Sequence, residues 1–308
     1  MIRNIFNAIF AHKKILFTVI AVLFIVIFIY IKQEHIKSLI FKSNSQSRVT
    51  TWKNNALWLD DYRVVIENKA INNVKNLSSL TFNADTNTLY SITNKQPEII
   101  ELTLTGEVIR RIDATIFSDP ESIAYLGNNR YVVADEAKQQ ISIINILPET
   151  ETITHIIKSL SIKLEYKNNK GFEGVTYDPS TQSLFIAQEK DPYTIYKING
   201  FYLSEENENK SLSIKQLDSF VDHLFVTDFS GLEFDPIRSH LFVLSDESKM
   251  LIELNKKGEA ISLLTLNKDH HDLSNDVPQP EGVAIANDES IYIISEPNLF
   301  YKFVKDKK

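Results

Sequence analysis

The chain has 308 residues, 43% of them hydrophobic, enough to bury a substantial core. Its net charge of −7 is unevenly spread: residues 1–48 carry seven basic groups against one acid, and residues 49–308 carry 26 against 39. A body that acidic repels nucleic acid and anionic lipid and favours cations or basic partners, and the absence of cysteine excludes disulfides, a thiol nucleophile, Cys-ligated zinc and an acylated lipoprotein terminus.

The first predicted element is Ile15–Ile31, a run of 17 residues whose polar members are Thr18 and Tyr30, flanked by Lys13-Lys14 and Lys32. As a helix it would span roughly 25 Å, near the short end for a membrane crossing, with lysines able to snorkel at both ends. No small-x-small processing site follows at once, so the expectation is an uncleaved transmembrane anchor in residues 1–31 and not a removed signal. The lysine pair ahead of it favours a cytoplasmic N-terminus, which puts the rest of the chain in the periplasm, held at the inner membrane. Residues 32–61 read as a polar tether carrying Trp52 and Trp58.

From residue 62 a short phrase recurs five times: Leu77-Ser78-Ser79-Leu80, Pro120-Glu121-Ser122-Ile123, Phe172-Glu173-Gly174-Val175, Phe229-Ser230-Gly231-Leu232 and Pro280-Glu281-Gly282-Val283. Each is followed by a turn and a second run, ending at Asn94, Asp135, Glu189, Asp246 and Glu296. Intervals of 43 to 57 residues, each holding several short strands, are the signature of a propeller or solenoid. The first repeat reads as strands at Leu80–Phe82, Leu89–Thr93, Ile99–Leu104 and Val108–Ile112, separated by turn residues. The last repeat ends after Phe300–Val304, one strand short. The orphan run Tyr62–Ile66 is the natural donor of that strand, closing the ring and removing an exposed edge. The fold class is therefore all-β: a five-bladed propeller over residues 62–306.

In an antiparallel hairpin the start of one strand lies beside the end of the next, so both polar sets fall on one face of the disc. Ser78, Glu121, Glu173, Ser230 and Glu281 form the inner set, nearest the axis. Asn94, Asp135, Glu189, Asp246 and Glu296 form the outer set. Carboxylates crowded at an axis repel one another unless a cation intervenes. Oxygen donors without cysteine or histidine point to Ca²⁺, less so to Mg²⁺. The competing reading is that the acids are solvated strand ends whose hydrogen bonds are local. His270-His271-Asp272 with Asp276 is a weaker metal candidate, and Ser78 and Ser230 lack a histidine at fixed spacing for a triad. Lys95, Lys138, Lys190 and Lys249 follow the outer acids, either ringing the rim or pairing with neighbouring carboxylates.

The phrases GFEGVTYDPSTQSLFIAQE, DFSGLEFDPIRSHLFVLSDES and PQPEGVAIANDESIYIISE closely resemble the SdiA-regulated (YjiK/CarP-like) proteins of bacteria, over about residues 62–306. The resemblance implies a propeller behind an N-terminal membrane segment, binding calcium at acidic positions on one face, in a calcium-responsive envelope protein with no established reaction. By position, calcium binding carries over to Glu121, Glu173 and Glu281, then to Asp135, Glu189, Asp246 and Glu296. Ser78, Ser230 and Asn94 depart from the acidic pattern. Two functional readings follow: a binding module recognising a protein or small molecule on the acidic face, or a metal-dependent hydrolase of the lactonase or phytase propeller type.

Overall fold

The computed structural model describes residues 17–23, 33–43, 45–162, 171–190, 193–202, 211–221 and 224–306. The chain divides into two units, Met1–Val49 and Thr50–Lys308. Residues 17–23 are helical, and further helices span Gln33–Ser43 and Ser45–Trp52. Among the described residues no helix is long and apolar enough to cross a membrane. Residues 15–16 and 24–31 of the expected anchor lie outside the described residues.

The larger unit is five four-stranded antiparallel sheets, the blades of a propeller. Blade 1 runs through Leu77–Asn83, Thr88–Thr93, Glu98–Leu102 and Val108–Asp113. Blade 2 uses Pro120–Gly127, Arg130–Asp135, Gln140–Asn145 and Lys158–Ser161, and blade 3 uses Phe172–Asp178, Ser183–Gln188, Thr194–Asn199 and Ser213–Gln216. Blade 4 comprises Gly231–Asp235, His240–Ser245, Met250–Leu254 and Ala260–Thr265. Second and third strands such as Ser183–Gln188 and Met250–Leu254 are buried throughout, whereas the outer strand Val108–Asp113 alternates with solvent. Strands covered on both faces read as continuous apolar runs, and half-covered ones alternate.

Blade 5 takes Pro280–Ile285, Ile291–Ser295 and Leu299–Lys305 from the C-terminus and its fourth strand, Tyr62–Ala70, from the start of the ring. The pairing is antiparallel, Tyr62 opposite Lys305 and Ala70 opposite Leu299. The closing strand is longer than the expected Tyr62–Ile66 because two irregularities, after Val64 and after Ile66, carry the pairing past the polar residues 67–68.

Ahead of the closing strand, the chain is held against blade 4. Glu253 is fully buried and its carboxylate accepts the backbone N–H groups of Leu57 (2.9 Å) and Trp58 (3.1 Å) and the Ser262 hydroxyl (2.7 Å), with His240 Nδ1 at 2.8 Å. Ser262 Oγ in turn accepts the Leu59 N–H at 2.9 Å. Trp58 is held at φ 59°, left-handed backbone uncommon for a bulky residue, and its indole packs on Ile261 and Ala56. Trp58 thus packs on the propeller.

Candidate metal centre

The recurring phrase opens each inner strand, and its second residue has a defined geometry. In blades 1, 2, 3 and 5 the ladder skips Ser78, Glu121, Glu173 and Glu281: Leu77 faces Thr93 and Ser79 faces Ile92, and the other three blades repeat the pattern. Each of these residues is the extra member of a β-bulge, which re-aims a side chain and leaves it outside the pairing. The third residue is Gly or Ser because neighbouring inner strands nearly touch. A Cβ on Gly174 would lie 2.9 Å from the Leu232 nitrogen, and one on Gly282 would lie 2.5 Å from that of Leu80. Where serine stands instead, its hydroxyl accepts the neighbour's N–H: Ile123 to Ser79 at 3.2 Å, Val175 to Ser122 at 2.8 Å.

The bulged side chains converge on one polar cavity of about 250 Å³. Its lining includes all five inner residues, Ser78, Glu121, Glu173, Ser230 and Glu281, and four of the expected outer ones, Asn94, Glu189, Asp246 and Glu296. Asp135 does not line it. Its buried carboxylate accepts the N–H groups of Ser118 (2.9 Å), Asp119 (3.3 Å) and Lys138 (3.2 Å), tying down the loop between blades 1 and 2. Pairing explains the discrepancy, because Asp135 stands opposite Pro120 as Thr93 stands opposite Leu77 and Gln188 opposite Phe172. The structural counterpart of Asn94, Glu189 and Glu296 is the next residue, Glu136. All four donate their backbone N–H to the carbonyl of the residue before the phrase: Asn76, Gly171, Gln279 and, for Glu136, Asp119. Counting six residues from the start of each second run would have found Glu136.

Asp119, Glu121 and Glu136 are the one acidic triplet among the described residues whose ligand atoms lie within 4.8 Å of one another. Glu121, Glu173 and Glu281 share the cavity at wider spacing. Burial, then the charge of Asp119, pushes Glu121 up to about 8. Burial raises Glu281 to about 8 as well, with Asp246, Glu296 and Glu121 adding to it against a hydrogen bond from Gln279. Glu173 rises well above the ordinary carboxylate range through burial and the charges of Glu121 and Glu281. Asp119 and Glu136 rise too, both through burial first.

Two buried oxygens beside Glu121 lack a hydrogen-bond partner, Ser78 Oγ and Asn94 Oδ1. The Ser78 hydroxyl is near enough to lower the Glu121 pKa, yet it makes no bond of normal geometry. Ser230, at the same repeat position, spends its hydroxyl on the Pro280 carbonyl at 2.7 Å. Crowded carboxylates held away from ionisation, with unclaimed hydroxyl and amide oxygens beside them, are a donor set that fits a hard divalent cation.

Other candidates resolve into local contacts. His271 Nδ1 lies 2.8 Å from the Tyr62 carbonyl oxygen, and Asp276 accepts the Lys268 N–H at 2.7 Å, so that loop clamps the closing strand. Lys138, Lys190 and Lys249 pair with Asp135, with Glu189 and Glu247, and with Asp246. Asp228 lines the cavity but binds the Asp246 and Glu247 N–H groups, as Asp135 does for its own loop.

Solved structures align with this chain. Myxococcus xanthus glutaminyl cyclase aligns at a TM-score of 0.56 with 12% identity, covering 80% of this chain and 96% of that one. A luciferin-regenerating enzyme aligns at 0.48 and 12% identity, covering 80% and 95%, and a putative 6-phosphogluconolactonase from Bacteroides uniformis at 0.43 and 13%, covering 70% and 63%. The likeness to the cyclase, at 12% identity, is one of fold alone. The model of the SdiA-regulated family matches residues 54–304, the whole ring with its latch at Leu57 and Trp58, and the chain belongs to that family.

Proposed function

We propose that this protein is a calcium-binding propeller of the bacterial envelope, anchored in the inner membrane through residues 15–31 with its ring in the periplasm. It acts there as a binding or calcium-responsive module. The observation that carries the calcium reading is the cavity itself: four bulged side chains and Ser230 aimed into one space, three of them glutamates with raised pKa values, and the oxygens of Ser78 and Asn94 left unclaimed. Glu121, Glu173 and Glu281 would hold the ion with Ser78 Oγ and Asn94 Oδ1, and Glu136 and Asp119 extend the set along blade 2. A bound divalent cation supplies the positive charge that lets these carboxylates ionise together. Glu189, Asp246 and Glu296 then form a polar rim on which a protein or small molecule is recognised.

Calorimetric titration of the full chain in detergent with CaCl₂ tests the reading. Binding in the millimolar range or tighter is expected, weakened at least tenfold in Glu173→Gln. The thermal midpoint should rise with calcium, since a ligand at a hundred times its Kd adds about 2.7 kcal/mol. No heat at millimolar calcium, or unchanged binding in Glu173→Gln, overturns the assignment.

A further inference from the structure

The face opposite the acidic cavity has a different character across blades 3 and 4. Two grooves of about 550 and 610 Å³ adjoin there, sharing Lys256 and Lys257 in their walls. The first has an aromatic floor: Phe185 and Phe234 stack at 5.5 Å and 16°, and Lys197 Nζ sits 5.0 Å from the Phe185 ring centre. Lys215 stands on the same wall. Asp178 is the single carboxylate lining either groove, and it is occupied by the hydroxyls and N–H groups of Ser180 and Thr181. Arg238 is neutralised by Asp235 and Glu289. Lys197, Lys215, Lys256 and Lys257 form no ion pair among the described residues.

Beside the lysines, on the turn between the first two strands of blade 4, Ile237 is 77% exposed, more than any other large hydrophobic side chain described. Trp52 lines the same groove, so the chain joins the ring on this face, 21 residues after the apolar run 15–31 ends. An exposed apolar side chain set among unpaired lysines is the pattern of a surface that lies in a membrane interface. Asp218 and Glu259 stand beside these lysines in the chain, Glu259 held by Asn255 Nδ2 at 2.7 Å, and the acids of the cavity oppose the docking only at long range. Charges are screened beyond about 8–10 Å at physiological salt, and the acids of the cavity lie on the opposite face.

We infer that the lower face of blades 3 and 4 docks on an anionic phospholipid surface, with Ile237 entering the interface and Lys197, Lys215, Lys256 and Lys257 meeting headgroup phosphates. The docked face points the acidic cavity away from the bilayer. The inference takes its setting from the membrane reading above, and the test separates the two.

Residues 50–308 contain the entire ring, its closing strand and its latch, so they can be tested without the apolar run. Sedimentation is measured with vesicles of phosphatidylcholine alone and of phosphatidylcholine with one quarter phosphatidylglycerol. Binding is expected only to the second, falling steeply as salt is raised. Lys256→Glu with Lys257→Glu should reduce it at least tenfold, and Ile237→Asp, at a position too exposed to affect folding, should do likewise. Lys95→Glu, a reversal on the upper face, should change it less than twofold. Indifference to phosphatidylglycerol, parental binding by the lower-face variants, or equal loss in Lys95→Glu overturns the docking face, as does retention on heparin without vesicle binding. Membrane fractionation of the full chain reads the anchor independently, so either reading can fail while the other stands.

Discussion

Glu253 and Glu173 are both carboxylates in the body of the propeller, and their surroundings are opposite. Glu253 is met by four hydrogen-bonding groups, two of them backbone N–H groups of the latch. Glu173 is met chiefly by other acids, and its pKa rises accordingly. A carboxylate surrounded by donors is a structural fastening, whereas carboxylates surrounded by one another hold a charge deficit that something outside the chain must fill. Residue type is shared and both sit within the ring, Glu253 fully and Glu173 partly buried, and the partners decide the role.

The largest effect that would break this contrast comes from Glu253→Ala. Removing the acceptor strands two buried N–H groups, Ser262 and His240, and should cost roughly 3–5 kcal/mol in urea unfolding. Parental stability would mean that the latch does not fasten. The reverse is expected in the cavity: Glu173→Gln, measured in EDTA at pH 8, should hold or raise the thermal midpoint by a few degrees as repulsion is relieved. A loss there would place Glu173 in the same class as Glu253.

The cavity also sets a pH dependence with a definite sign. Glu121 and Glu281 lie near 8 in the folded state against an ordinary 4.5. Between those values the native chain holds protons that the unfolded chain has released, so metal-free stability should fall as pH rises from about 4.5 to about 8 and level off above. Saturating calcium should flatten the slope, and thermal melts with and without EDTA read it directly. The smallest and most discriminating pair is Asp135 and Glu136. Asp135→Ala should cost about 1–2 kcal/mol by freeing three loop N–H groups and leave calcium binding intact. Glu136→Gln should leave stability nearly unchanged and weaken calcium. Interchanged outcomes would restore Asp135 to the site.

Much of this was legible in the sequence, because a repeat states its architecture five times. The count of blades followed from the five repeats, the donor of the closing strand from one missing strand, and the phrase picks out Glu121, Glu173 and Glu281. Asp135 stands one ladder position short of Asn94, Glu189 and Glu296, a difference that the ends of the runs do not reveal without the pairing. Blade 2 turns tightly at Asn128-Asn129, and its second run, taken from Tyr131, also has six members. Glu253 was invisible for another reason: its backbone partners Leu57 and Trp58 lie 196 and 195 residues away, and no local pattern records such a bond. The lower-face lysines were hidden likewise, scattered over two blades and meeting only in space.

The order of fastenings along the chain has a mechanical consequence. Residues 57–59 are clamped to Glu253 and Ser262 before the chain enters the closing strand at Tyr62. A pull applied from the N-terminal side therefore loads the clamp first, while the pairing between Tyr62–Ala70 and Leu299–Lys305 stays unstressed until those bonds part. The ring is shielded by a strain relief of three residues, and tension on the leading segment need not open the seam on which the cavity depends.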